Sequence, residues 1–178
     1  MTTIIGIQYP DKVLMIADSR VTDDSGRIYS HPQMKKIIDK NGYLIGGAGE
    51  VAPCDIAMHL WTPPKPTSKD KENVYEFVIK KVMPSLRKAL VDNGYNFDEP
   101  TDRSKDGLRF QLLIAVAGEL FDISDDLSVC ISGDGLYGVG SGAPYALGAL
   151  KVKAKPMKAM EAAAELSAYT APPFLVVE

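Results

Sequence analysis

Thr2-Thr3-Ile4-Ile5-Gly6-Ile7 follows directly behind Met1 and decides how the rest of the chain is read. Its short, β-branched apolar run has the pattern of a buried strand. Methionine is normally trimmed when a small residue follows it. Trimming here would leave a hydroxyl and a free α-amine on the same residue, Thr2. Such an amine titrates near pH ~8 and accepts a proton in neutral water. A hydroxyl driven by its own residue's amine is a known form of activated nucleophile. On its own, a threonine after methionine says little, so the meaning of Thr2 depends on the blocks that follow.

The next block is Val13-Leu14-Met15-Ile16-Ala17-Asp18-Ser19-Arg20. It reads as a second buried strand that ends in a carboxylate. An ionised Asp there needs a cation or hydrogen-bond donors. Two sources are open: Arg20, which shares a strand face with Asp18, or a lysine arriving from elsewhere. Lys35-Lys36 precede Ile37-Ile38 at the base of another strand-like run. A lysine there, close to a carboxylate, can polarise a threonine hydroxyl and assist its proton loss.

Two glycine-rich blocks complete the set, Gly46-Gly47-Ala48-Gly49 and Gly140-Ser141-Gly142-Ala143-Pro144-Tyr145-Ala146-Leu147-Gly148. Each block is weak alone. In this order, starting at the first processed residue, the chain resembles the catalytic β-subunits of the proteasome and the related bacterial HslV proteases. Both are N-terminal-nucleophile hydrolases. The likeness runs from Thr2 to Pro172-Pro173-Phe174.

The resemblance implies a role for each block. Thr2 is the nucleophile, with its amine shuttling the proton. Asp18 pairs with the catalytic lysine, which is Lys36 in the family register and Lys35 if that register slips. The Gly49 N–H faces the developing oxyanion, where losing one donor typically costs ~3–4 kcal/mol of barrier. Ser141 hydrogen-bonds near the threonine amine. Val21, Met34 and Gly47 are specificity-pocket positions; Gly47 leaves room and Met34 favours apolar side chains.

Two departures point to the HslV branch. Where proteasome subunits carry an acid before their last Ala-Tyr-Ser segment, this chain has Ser167, in Ser167-Ala168-Tyr169-Thr170. No propeptide is expected, unlike many proteasome subunits. In HslV-like proteins this turn can hold a sodium ion through backbone oxygens, by position those of Ala164, Ser167 and Thr170; no other cofactor is expected. The resemblance also implies hexameric or heptameric rings, usually stacked, with an ATP-driven unfoldase as partner and proteins or peptides as substrates. Two other readings stand beside it: a non-catalytic ring subunit of the same fold, and a small-molecule amidase of the same superfamily.

Composition fits one ordinary domain, expected over residues 2–178. The chain has 178 residues, of which 46% are apolar, enough for a full core. Its net charge is −3, and no basic stripe supports nucleic-acid binding. No apolar run approaches the length of a membrane span and no secretory signal is visible, so a cytoplasmic setting is expected. Cys54 and Cys130 sit in apolar contexts and read as buried free thiols.

Strands are expected at 3–8, 13–18, 35–38, 43–47, 108–117, 119–123, 127–132, 136–140 and 174–177. Helices are expected at 51–61, 71–91 (kinked at Pro84), 144–152 and 157–168. A proline-rich break covers 62–68, and 93–106 reads as a loop. Strands then helices, twice over, give an α+β arrangement. With the resemblance this becomes a four-layer αββα sandwich. Gly47-Ala48-Gly49-Glu50-Val51-Ala52 loosely matches a dinucleotide fingerprint, but hairpins rather than βαβ units surround it. His31 and His59 read as structural or exposed. Met34, Met58, Met83, Met157 and Met160 read as core filling.

Overall fold

The computed structural model describes residues 2–23, 25–98 and 108–178. Two antiparallel sheets carry the fold. The first is built from Ile4–Gln8 (β1), Val13–Ala17 (β2), Leu136–Val139 (β10) and Leu175–Val177 (β11), in the order β10-β1-β2-β11. The second contains Ile37–Lys40 (β5), Tyr43–Gly49 (β6), Phe110–Val116 (β7), Glu119–Ser124 (β8) and Val129–Cys130 (β9), in sequence order. Val21–Thr22 (β3) and Ile28–Tyr29 (β4) form a separate short hairpin.

Side-chain alternation sorts the core into three interfaces. In β1, Ile4 faces the second sheet, while Ile5 and Ile7 face the opposite way. Between the sheets, Ile4, Val13, Met15 and Ala17 meet Ile37, Ala48, Leu113, Ala115 and Leu120. Outside the first sheet, Ile5, Ile7, Leu14 and Ile16 pack on Ala146, Leu150, Ala159, Met160 and Ala163, from Ala143–Lys151 (α4) and Pro156–Leu166 (α5). Outside the second, Tyr43, Ile45, Phe110, Leu112 and Ile114 pack on the helices of residues 51–92. These are the four layers of an αββα sandwich. Both faces of each sheet are covered, so the strands read as apolar runs rather than as alternating ones. Gly6 points between the sheets, where a Cβ would stand 2.5 Å from Leu120 Cδ2.

The helices depart from the sequence reading in detail. Val51–Asp55 (α1) runs straight into a π turn over Ile56–Leu60. The long helix divides into Val74–Phe77 (α2), a π turn over Val78–Val82, and Met83–Asp92 (α3). Pro84 lies in the first turn of α3, directly after the π turn. Proline has no N–H and crowds the carbonyl four residues back; a local change of hydrogen-bond register relieves both.

The β3–β4 hairpin was not legible in the sequence. Its strands are two residues long, and Asp23 holds its turn by accepting from Ser25 N, Ser25 Oγ and Arg27 N. Three assignments are corrected. Cys130 is exposed because β9 is a two-residue edge strand. Met34 is 43% exposed and Met157 40%, so neither fills the core. The loop expected at 93–106 lies partly outside the described residues. Among the described residues, no helix is long and apolar enough to cross a membrane.

Candidate active site

The β1–β2 ladder extends one step past its last paired strand residues. Asp18 N donates to Thr3 O at 3.0 Å, and Thr3 N donates to Asp18 Oδ1 at 2.8 Å. Asp18 is therefore held opposite the residue after Thr2. Its other oxygen accepts from Arg20 N at 3.0 Å and Ala171 N at 3.4 Å. Lys36 Nζ donates to Asp18 Oδ1 at 2.6 Å and to Arg20 O at 2.5 Å. Asp18 is 2% exposed and Lys36 7%. Burial pushes the Lys36 ammonium below the usual lysine range, and the charge and hydrogen bond of Asp18 oppose that push.

This geometry decides between the two cations open to Asp18. The Arg20 guanidinium turns away and donates to Ala168 O at 2.5 Å. Lys35 is exposed. Strand pairing explains why Lys36 arrives: Ile37 lies opposite Gly46, and Gly47 N donates to Lys36 O at 3.1 Å. The β5–β6 ladder thus places Lys36 beside Gly47.

The glycine loop closes on the threonines from the other side. Gly140 adopts φ +89°, and a Cβ there would overlap the Thr2 carbonyl oxygen and lie 2.7 Å from the Thr2 carbonyl carbon. A Cβ on Gly142 would overlap the hydroxyls of Thr3 and Thr170. Those hydroxyls lie 2.6 Å apart, fully enclosed. Ser141 stands between the two glycines, exposed in the turn ahead of α4.

One cleft of about 1010 Å³ gathers most of the remaining positions: Thr2, Val21, Met34, Lys36, Gly47 and Gly49 all line it. A Cβ on Gly47 would stand 2.7 Å from Cys54 Sγ, so glycine leaves Cys54 as the floor at this point. Burial raises the Cys54 thiol to about 12, which keeps that floor neutral. Gly49 has φ +101°, and a Cβ there would overlap Arg109 O. His59, read above as structural or exposed, also lines the cleft, as do Arg109 and Tyr169.

Ala164, Ser167 and Thr170 fall at the end of α5 and in the turn after it, one residue before the Ala171 N–H that binds Asp18. Ser167 O accepts Thr170 N at 3.2 Å and keeps one lone pair. Among the described residues no cluster of His, Cys, Asp or Glu could hold a metal. The turn offers no acidic cage among the described residues. Where a proteasome subunit would carry its acid, the Ser167 hydroxyl accepts Tyr169 N at 3.3 Å and so serves its own turn.

The contacts of Gly140 with Thr2, and of Gly142 with Thr3 and Thr170, were not assigned from sequence. Two glycines flanking Ser141 were the available signal. The hydroxyl pair joins residues 167 positions apart and left no local trace.

No family model matches the chain. It is 27% identical over 186 residues to the ATP-dependent protease subunit HslV of Thermosipho africanus, covering 99% of this chain and 97% of that one. It is 28% identical over 182 residues to the same subunit from an Anaeromyxobacter species, covering 95% and 92%. In fold it matches Thiobacillus denitrificans BPH, solved in complex with epoxomicin, with a TM-score of 0.74, 21% identity and coverage of 99% and 97%. The chain is thus similar from end to end to HslV subunits, and it carries a buried Asp18–Lys36 pair beside Thr2-Thr3 in an αββα sandwich, a likeness that supports the HslV-type, proteasome-like group of N-terminal-nucleophile hydrolases.

Proposed function

We propose that the chain is a threonine peptidase whose nucleophile is Thr2, exposed at the N-terminus once Met1 is removed. One observation carries the reading: Thr2, Lys36 and Gly49 line a single cleft, and the Lys36 ammonium is fixed there by Asp18 Oδ1 and Arg20 O.

Thr2 Oγ attacks the substrate carbonyl carbon while its proton passes to the Thr2 amine. The fixed charge of Lys36 lowers the cost of negative charge on Oγ. The carbonyl oxygen becomes an oxyanion that the Gly49 N–H receives. As the intermediate collapses, the C–N bond breaks and the ammonium returns its proton to the leaving amine. The acyl group remains as an ester on Thr2. The amine then deprotonates a water, which attacks that ester, frees the acid and restores the threonine hydroxyl. Ser141 supports the Thr2 amine. The cleft over Gly47, walled by Val21 and Met34, receives the side chain next to the scissile bond.

The wider reading follows the HslV relatives. Copies assemble into rings that enclose the clefts, an ATP-driven unfoldase delivers substrate, and the setting is cytoplasmic. A sodium ion on the Ala164, Ser167 and Thr170 carbonyls would stiffen the turn that supplies the Ala171 N–H to Asp18. Intact mass after epoxomicin treatment tests the core claim. The expected result is one adduct on residue 2 of a chain lacking Met1, absent in Thr2→Ala. An active chain that retains Met1 overturns it.

A further inference from the structure

The turn that presents Gly49 is tied from outside the Thr2–Asp18–Lys36 cluster by Arg109, through both its backbone and its side chain. Arg109 stands one residue before β7. Its carbonyl accepts Glu50 N at 2.8 Å and packs directly against Gly49. Its side chain comes back to the same turn: Nε donates to Glu50 Oε1 at 3.1 Å, and Nη2 donates to Glu50 Oε2 at 3.3 Å. The third guanidinium nitrogen, Nη1, donates to Asn96 O at 3.0 Å. The guanidinium lies over the Tyr95 ring, 4.6 Å from its centroid, and Tyr95 is edge-packed on Phe110. The Arg109 backbone N–H is tied to Asp125 Oδ2 at 2.9 Å.

An ordinary exposed ion pair is worth little. This one differs in two ways. It is a two-point fork, which fixes angle as well as distance. The Arg109 side chain is only 13% exposed, against 47% for Glu50, so the arginine is the anchored partner and the glutamate is the part it holds. The element being held has reason to need it. Gly49 ends β6 opposite Phe110, and glycine at φ +101° has little conformational preference of its own, so the turn that follows it gains rigidity from an external tie. A donor for a transition-state charge must hold its place within about 0.5 Å.

We propose that Arg109, acting through Glu50, is the positioning residue of the oxyanion-binding turn. The proposal rests on the reading of Gly49 as the oxyanion donor. Arg109 does not touch the reacting atoms; it sets where the Gly49 N–H points.

The test compares Arg109→Ala, Arg109→Lys and Glu50→Gln with the unaltered chain by two readouts. The first is kinetics on a short fluorogenic peptide, with inhibition by a peptide aldehyde, whose hemiacetal oxygen occupies the oxyanion position. For Arg109→Ala, kcat should fall by about 10–100-fold with KM changed less than about threefold, and aldehyde affinity should fall in parallel. Arg109→Lys, which keeps the charge and loses the fork, should rescue only part. The second readout is amide exchange over residues 47–52, which should speed up in Arg109→Ala and Glu50→Gln with the global melting temperature nearly unmoved. A raised KM at unchanged kcat would make Arg109 a substrate contact and overturn the proposal. So would unchanged exchange at residues 47–52, or full rescue by lysine. If the unaltered chain cleaves nothing, the peptidase reading fails, and exchange alone still decides whether Arg109 holds the turn.

Discussion

Lys36 Nζ lies 2.6 Å from Asp18 Oδ1, and the two partners are not equally dependent on each other. Asp18 also accepts the backbone N–H groups of Thr3, Arg20 and Ala171. Lys36 has the Arg20 carbonyl as its other acceptor described above. Removing Asp18 therefore takes the compensating charge from a buried ammonium and the acceptor from three backbone donors, whereas removing Lys36 leaves a carboxylate that is still well solvated by peptide dipoles. Asp18→Ala should cost about 3–5 kcal/mol, and Lys36→Met no more than about half of that. Urea denaturation midpoints check this. Equal losses would show that the peptide donors do not support Asp18. Both variants should lose turnover, because the fixed positive charge beside Thr2 is gone or displaced.

Gly140 allows the loop to lie against the Thr2 backbone. Gly140→Ala meets two obstacles together, a φ of +89° and a Cβ inside the space of the Thr2 carbonyl. The expected stability cost is about 1–3 kcal/mol. The expected loss of peptide turnover is much larger, about 100-fold or more, because a shift of one ångström at the nucleophile is enough for that. A crystal structure of the variant should show Thr2 displaced while Asp18 and Lys36 keep their contact. Turnover within about threefold of the parent chain would mean that the loop does not set the position of Thr2.

The α+β order of elements and the Asp18–Lys36 pairing could be anticipated from local signals, whereas the four-layer arrangement came only with the family resemblance. Apolar β-branched runs, a carboxylate at a strand end and a lysine before the next strand are all short-range patterns. Lys36 was separable from Lys35 only through the family register, and in the structure a ladder bond between Gly47 N and Lys36 O puts Lys36 there. What stayed hidden depends on distant segments meeting. Arg109 lies 59 residues from Glu50 in the chain, and nothing near either residue signals the fork. The π turns were hidden for another reason: one added residue per turn barely disturbs a three-and-four apolar repeat.

Thr3 and Thr170 share a 2.6 Å hydroxyl contact that ties the start of the first strand to the turn carrying the Ala171 N–H. Either single change to valine leaves the partner hydroxyl buried without its contact, which should cost about 1–3 kcal/mol. The double change removes both polar groups and keeps the volume, so it should cost clearly less than the sum of the singles. A double-mutant cycle by thermal unfolding should give a coupling of about 1 kcal/mol or more. Additive costs would indicate that the pair contributes nothing as a pair.

Asp122 is the clearest source of pH-dependent stability away from the cleft. It lies on β8 opposite Leu113 and Cys130, and its buried Oδ1 has no hydrogen-bond partner among the described residues. Burial raises its carboxyl from 3.8 to about 6. The folded state therefore holds a proton that the unfolded state releases between those two values. Stability should fall as pH rises from about 4 to about 6 and stay lowered above that, because both states are then ionised and only the folded one pays for a poorly solvated charge. The full shift would be worth about 3 kcal/mol, and partial solvent contact reduces that to about 1–2 kcal/mol. Asp122→Asn cannot ionise, so it should be more stable than the parent chain at pH 7.5 by that amount, with the gap closing near pH 4. Melting temperatures of both proteins across this range decide the matter. A gap that does not change with pH would mean that Asp122 is ionised alike in the folded and unfolded chains.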